Sequence, residues 1–276
     1  MASSPPRFLR LVRLQHGFTL VELSIVLVII GLLIGGILAA KSMVETSKLN
    51  RLMSDVNQYT IAVRNFKTSY NYLPGDYPNM SGNCATGSTI SCAGDGDGAI
   101  SYRWFEPYLA WKHLAMAGMA PKLSASPYTG FPSWAVAPPY ASVAAMVGID
   151  MPEVWNKGTT LVFSNETGFG STCSLFFWIS KAGSYSGSVE PNKPWRPYGG
   201  GPADFGVPPL TVEQMLAIDK KYDDGVASTG GVMAVLSNLG CTMAWNGSAV
   251  SYTASQLSSQ IAACFPVICL NRQGDL

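Results

Sequence analysis

Histidine is all but missing from this chain: His16 and His113 are the two among 276 residues. So small a supply leaves little for a histidine-based triad or a histidine-ligated metal site. Charge is scarce as well, at 13% of residues, and 18 basic against 17 acidic side chains leave a formal net charge of +1. That balance argues against a nucleic-acid scaffold held by bulk electrostatics, which needs a strong basic excess. Residues 1–17 carry Arg7, Arg10 and Arg13 and no acid, so the remainder holds 15 basic and 17 acidic groups, a net of −2. There is no Gly-rich phosphate motif, and no CxxC pair of the kind that binds zinc.

What is abundant is apolar material, at 47% of residues. A chain of this length and composition can bury one good core, or two small ones, and still carry an appended segment. Six cysteines, Cys84, Cys92, Cys173, Cys241, Cys264 and Cys269, all lie beyond the long apolar run. Disulfides in an oxidising compartment fit this pattern, with free buried thiols as the alternative. Six cysteines allow about 15 pairings. Cys84 and Cys92 flank a short Gly/Ser/Thr loop and are the first choice for a pair. Cys241 is assigned to Cys264 or Cys269.

From Val21 to Ala40 the chain reads VELSIVLVIIGLLIGGILAA, with Glu22 as its one charge. That is about the ~20 residues a helix needs to cross a bilayer. A secretory signal peptide is the first rival, because a basic stretch precedes the apolar one. The run is too long for a signal core, however, and it continues as Lys41-Ser42-Met43-Val44 rather than ending in a small-x-small cleavage site. An ordinary anchor is the second rival, and Glu22 separates the two. A lone carboxylate at the start of a membrane helix is costly and calls for a partner. Cleavage after Gly17 would free an α-amino group on Phe18, and neighbouring subunits could pair that amine with Glu22 inside an apolar bundle.

The stretch GFTLVELSIVLVIIG, residues 17–31, closely resembles the processing and assembly motif of the type IV pilin superfamily. The resemblance implies a prepilin peptidase that cuts between Gly17 and Phe18, N-methylation of Phe18, and Glu22 guiding each subunit into a filament. Members often carry a proline midway along the apolar half of the helix, where assembled filaments unwind locally. This chain has Gly31, Gly35 and Gly36 there instead. Each costs up to ~1 kcal/mol of helix stability relative to Ala, which would soften the helix; close packing of membrane helices on small residues is the equal alternative.

Beyond the apolar run the pattern turns amphipathic. Leu49, Leu52, Val56, Tyr59, Val63, Phe66, Tyr70 and Leu73 recur three or four apart, with Lys48, Arg51, Asp55, Arg64 and Lys67 off the stripe. The stripe stops at Leu73-Pro74-Gly75-Asp76, too soon for a coiled coil, so it predicts a helix packed on its own globular domain. The expected organisation is a removable leader over 1–17, a long helix over 18–73 with a transmembrane segment at about 21–40, and a globular head over 74–276.

Turns dominate the head up to Gly94-Asp95-Gly96-Asp97-Gly98, after which Glu106 and Pro107 open a short helix, Tyr108 to Met119. Residues 121–210 predict irregular structure with strands at Thr160–Ser164 and Ser174–Ile179. Thr211 with Gln214 forms a capping box for a helix ending at Asp224, just before Gly225. Val232–Leu236 and Phe265–Leu270 complete the strands. The fold class is therefore α+β: a long amino-terminal helix on a small antiparallel sheet with short helices and disulfides. The segments YNYLPGDYPN, GDGDGAI, EPYLAWKHLAMAGM and IDKKYDDG also look like those of large pilin-like proteins of Gram-negative bacteria, which implies kinship rather than an activity.

Chemistry in the head is sparse. Asp95 and Asp97 alternate with glycines as hard-cation loops do, giving a candidate calcium site. An EF-hand register fails, since Ala93 falls where the first Asp belongs and Trp104 where the bidentate Glu belongs. Otherwise the loop is a solvated turn. His113, on the short helix, is expected to be structural. Asp219, Asp223 and Asp224 could hold a cation, but acids on a solvated helix end are the simpler reading. Seven tryptophans are assigned to the core rather than to a glycan-binding surface.

The expected protein is structural and not an enzyme, and no cofactor other than calcium is implied. The resemblance implies a subunit of a type IV pilus or of a type II secretion pseudopilus. Its partners would be copies of itself or homologous pilins, the prepilin peptidase/N-methyltransferase, and an inner-membrane assembly platform. It would sit in the bacterial inner membrane with its head in the periplasm, then in a periplasmic or cell-surface filament. The rival is a minor tip pilin whose enlarged head acts as an adhesin, takes up DNA or binds a secreted substrate.

Overall fold

The computed structural model describes residues 18–82, 84, 91–100, 106–126, 147–164, 173, 175–181, 208–235, 241, 252 and 262–270. Gly17 and the rest of the expected leader, Trp104, Ser174, Leu236 and most of the stretch read as irregular lie outside them. The chain divides into two compact units, Met1–Ser47 and Lys48–Leu276.

The first helix, α1, runs from Leu20 to Tyr70, 51 residues that span ~77 Å at 1.5 Å per residue. In the first unit every described residue from Phe18 to Val44 is exposed. Its apolar stretch is long enough to cross a membrane, and none of it is buried.

In the second unit the character of α1 changes. Leu49, Leu52, Met53, Val56, Tyr59, Ala62, Val63 and Phe66 are buried at helical spacing, and each large apolar side chain so buried contributes ~1.5–3 kcal/mol. Tyr59 meets Trp111 edge-on at 5.4 Å, and Trp111 in turn stacks on Phe177 at 5.7 Å. Trp111 belongs to α2, Glu106–Met116, and Phe177 to strand β2. The helix ends where Asn71 takes a left-handed conformation, φ 59°. Pro74 and Gly75 then make a tight turn closed by the Asp76 N–H on the Leu73 carbonyl at 3.2 Å, with Gly75 at φ 101° supplying the positive φ that a type II turn needs.

Among the described residues five strands follow: β1 Thr159–Ser164, β2 Phe176–Lys181, β3 Leu210–Thr211, β4 Val232–Val235 and β5 Ala262–Cys269. All of their pairings are antiparallel. The order is β1-β2-β5-β3, with β4 also on β5. Helix α3, Val212–Tyr222, starts at the Thr211–Gln214 capping box. Three disulfides are formed: Cys173–Cys269 and Cys241–Cys264 each join a residue outside the named strands to β5, and Cys84–Cys92 closes the loop after α1. The architecture is α+β, a long helix packed on a small antiparallel sheet with short helices.

Three expectations need adjusting. Helix α2 stops at Met116 rather than Met119, because Gly118 is left-handed at φ 70° and the Met119 and Ala120 N–H groups both turn back to the Leu114 carbonyl. Helix α3 ends at Tyr222 with Asp223, not Asp224, as its cap. Strand β5 begins three residues earlier than read, and its extension pairs with the two-residue β3 that the pattern did not show.

Candidate functional site

At the head of α1 the sequence Thr19-Leu20-Val21-Glu22 folds as a capping box. The Glu22 N–H donates to Thr19 Oγ1 at 3.2 Å, while the Thr19 N–H and hydroxyl both donate to Glu22 Oε2 at 2.8 and 2.9 Å. Thr-x-x-Glu before an apolar run is the sequence sign of such a box, so Thr19 was there to be found. Phe18 is 89% exposed, and so is the apolar face that follows it. Helix α1 is continuous through Gly31, Gly35 and Gly36, and apart from the helix's own backbone no atom of the described residues lies within 4 Å of where a side chain at each would begin.

In the head, the loop after α1, the Gly-rich loop and the first residue of α2 come together. One carboxylate oxygen from each of Asp76, Asp95 and Glu106 lies within 4.8 Å of the other two. Glycines make this convergence possible. A Cβ on Gly94 would collide with the Gly75 carbonyl oxygen and the backbone of Asp76, and one on Gly75 would come within 2.5 Å of the Glu106 carbonyl oxygen. The Asp95 N–H donates to Glu106 Oε1 at 3.2 Å. Asp95 and Asp97 each accept the N–H two residues on, from Asp97 at 3.1 Å and Ala99 at 2.7 Å. Asp95 is thus shared with the pair read in the sequence, while Asp97 lies outside the trio.

Asp76 and Glu106 are buried, and Asp95 is exposed. Like charges at this separation repel by about 3 kcal/mol per pair at an effective dielectric of ~20. Burial pushes the Asp76 carboxyl above its usual range. The Gly98 and Gly96 N–H groups oppose that rise, and the charges of Asp97 and Asp95 add to it.

His113 pins the two loops around this trio. Its Nδ1 accepts the Gly75 N–H at 2.8 Å, and its Nε2–H donates to the Cys92 carbonyl at 2.6 Å. Both nitrogens are used by the neutral imidazole, which is fully buried, and burial lowers its pKa to about 4. The histidine is structural. Lys112, one residue earlier, is equally engaged: its ammonium donates to the Ser124 and Ser126 carbonyls and to Asp150 Oδ1, at 2.8, 2.6 and 2.8 Å. Three donors meet three acceptors, which satisfies the buried ammonium.

The second acidic group, Asp219, Asp223 and Asp224, is only partly on a solvated helix end, because Asp219 is fully buried. Its two oxygens accept the Gly225 N–H and the Tyr252 hydroxyl, at 2.9 and 2.7 Å. Asp223 Oδ2 takes the Gly231 and Val232 N–H groups, and Asp224 takes the Val226 N–H and the Thr229 hydroxyl. These acids fasten the loop between α3 and β4.

No curated protein and no solved structure matches the chain. Residues 12–38 match the family model of the prokaryotic N-terminal methylation motif, and this stretch holds Gly17, Phe18, Thr19 and Glu22. The chain carries the type IV prepilin-like signature at the start of a long apolar helix.

Proposed function

We propose that this chain is a prepilin, cut between Gly17 and Phe18, N-methylated on Phe18, and polymerised through α1 into a type IV pilus or a type II secretion pseudopilus. The observation that carries this reading is the methylation motif over residues 12–38, on a helix whose apolar half buries none of its own surface. That surface would lie first in the inner membrane and then against other copies of α1, with the head on the periplasmic side. The role is structural rather than enzymatic.

Glu22 gives the proposal its mechanism. In the single chain its carboxylate is held by Thr19. In the filament the charged amine of Phe18 on a neighbouring subunit would join it, offsetting the cost of a carboxylate in an apolar bundle. Gly31, Gly35 and Gly36 would let α1 unwind locally as subunits pack. The test is Glu22→Ala in a strain that assembles the filament. The protein should remain in the inner membrane and fall by roughly tenfold or more in the sheared-filament or pseudopilus fraction, as expected when the loss of one partner leaves a buried charge. Undiminished recovery of the variant in filaments would overturn the reading.

A further inference from the structure

We propose that Asp76, Asp95 and Glu106 bind a calcium ion that closes the head loops onto the start of α2. The three carboxylates come from separate segments and meet within 4.8 Å, and ligands 2.3–2.6 Å from one calcium ion can span about that distance across it. A second observation points to the ion. Asp76 is 1% exposed, its Oδ2 accepts the Gly98 N–H at 3.2 Å, and its Oδ1 is buried with no hydrogen-bond partner among the described residues. A buried, unpartnered carboxylate oxygen beside two further carboxylates is a poor arrangement for protein alone and a good one for a hard cation.

The donor set is oxygen-only and acidic, which selects calcium or magnesium over the softer metals. Irregular loops favour calcium, whose coordination is larger and more tolerant than the strict octahedron of magnesium. Asp95 is exposed and gives the ion a way in. Asp219, Asp223 and Asp224 offer no comparable buried, unpartnered oxygen, since hydrogen bonds already occupy both oxygens of Asp219 and both oxygens of Asp224.

Calorimetric titration of the detergent-extracted full chain, stripped with EDTA, with calcium chloride and then magnesium chloride tests this. The expected result is one saturable calcium site, a rise in Tm with calcium, and magnesium weaker by roughly tenfold or more. Asp95→Asn replaces an exposed residue and removes like-charge repulsion, so it should fold with a Tm in EDTA no lower than that of the unaltered chain, yet lose most of the calcium affinity; Glu106→Gln should likewise lose most of the affinity. Asp224→Asn should leave calcium binding as it was. Absence of saturable binding, magnesium binding as tight as calcium, or binding that survives Asp95→Asn but not Asp224→Asn would overturn the assignment. None of these outcomes bears on cleavage at Gly17, so the filament reading is tested separately.

Discussion

His113 shows how a single residue can set the chemistry of its surroundings without taking part in any reaction. Its imidazole is neutral because it is buried and both nitrogens are committed to the backbone. Burial holds the folded pKa at about 4, below the ordinary imidazole value of 6.5. Below the unfolded value, therefore, the unfolded chain takes up a proton that the folded chain refuses. This contribution to stability is complete above pH 6.5 and is lost as pH falls toward 4, amounting to about 3 kcal/mol. Asp76 and Asp219 are shifted upward and act in the opposite sense at lower pH, so the His113 resonances themselves are the clean readout. After removal of residues 1–17 this is the one histidine in the chain, and its NMR titration should show a midpoint near pH 4. A midpoint near 6.5 would contradict the buried, doubly bonded geometry. The sequence made the histidine look structural from its scarcity and apolar neighbours. It could not show that the ring joins Gly75 to Cys92, because that requires two distant loops to close. The same holds for Asp76, whose place beside Asp95 and Glu106 has no periodic or spacing signal.

Among the elements, those with a strong period or a cap were plain in the sequence. The stripe from Leu49 to Phe66 is the buried face of α1, and Thr211 with Gln214 caps α3 through the 3.2 and 3.0 Å bonds of a capping box. Short or context-made elements were not legible. Strand β3 is two residues long and exists because β5 offers it a partner. The disulfides lie between these cases: spacing suggested Cys84 with Cys92, whereas Cys173 with Cys269 depends on β2 pairing with the end of β5. That bridge spans a sequence separation of 96, so by the chain-entropy argument its removal should cost about 4–5 kcal/mol. Cys173→Ser with Cys269→Ser should therefore lower the denaturant midpoint far more than Cys84→Ser with Cys92→Ser, whose separation is 8. Equal losses from the two pairs would show that native-state packing, not loop closure, sets their contributions.

For the whole molecule, two units with different patterns of exposure share one helix. In Met1–Ser47 the apolar residues of α1 stay exposed, whereas in Lys48–Leu276 they turn inward. The first arrangement is unfavourable in water, and under the proposed function lipid or other copies of the helix would cover it. The methylation motif over residues 12–38 lies within the first unit. The most direct test is to determine the amino terminus of the protein extracted from membranes of cells that contain a prepilin peptidase. Mass spectrometry of the first peptide should find N-methyl-Phe18 followed by Thr19. An intact Met1 terminus, or a cut near residue 40, would contradict the account.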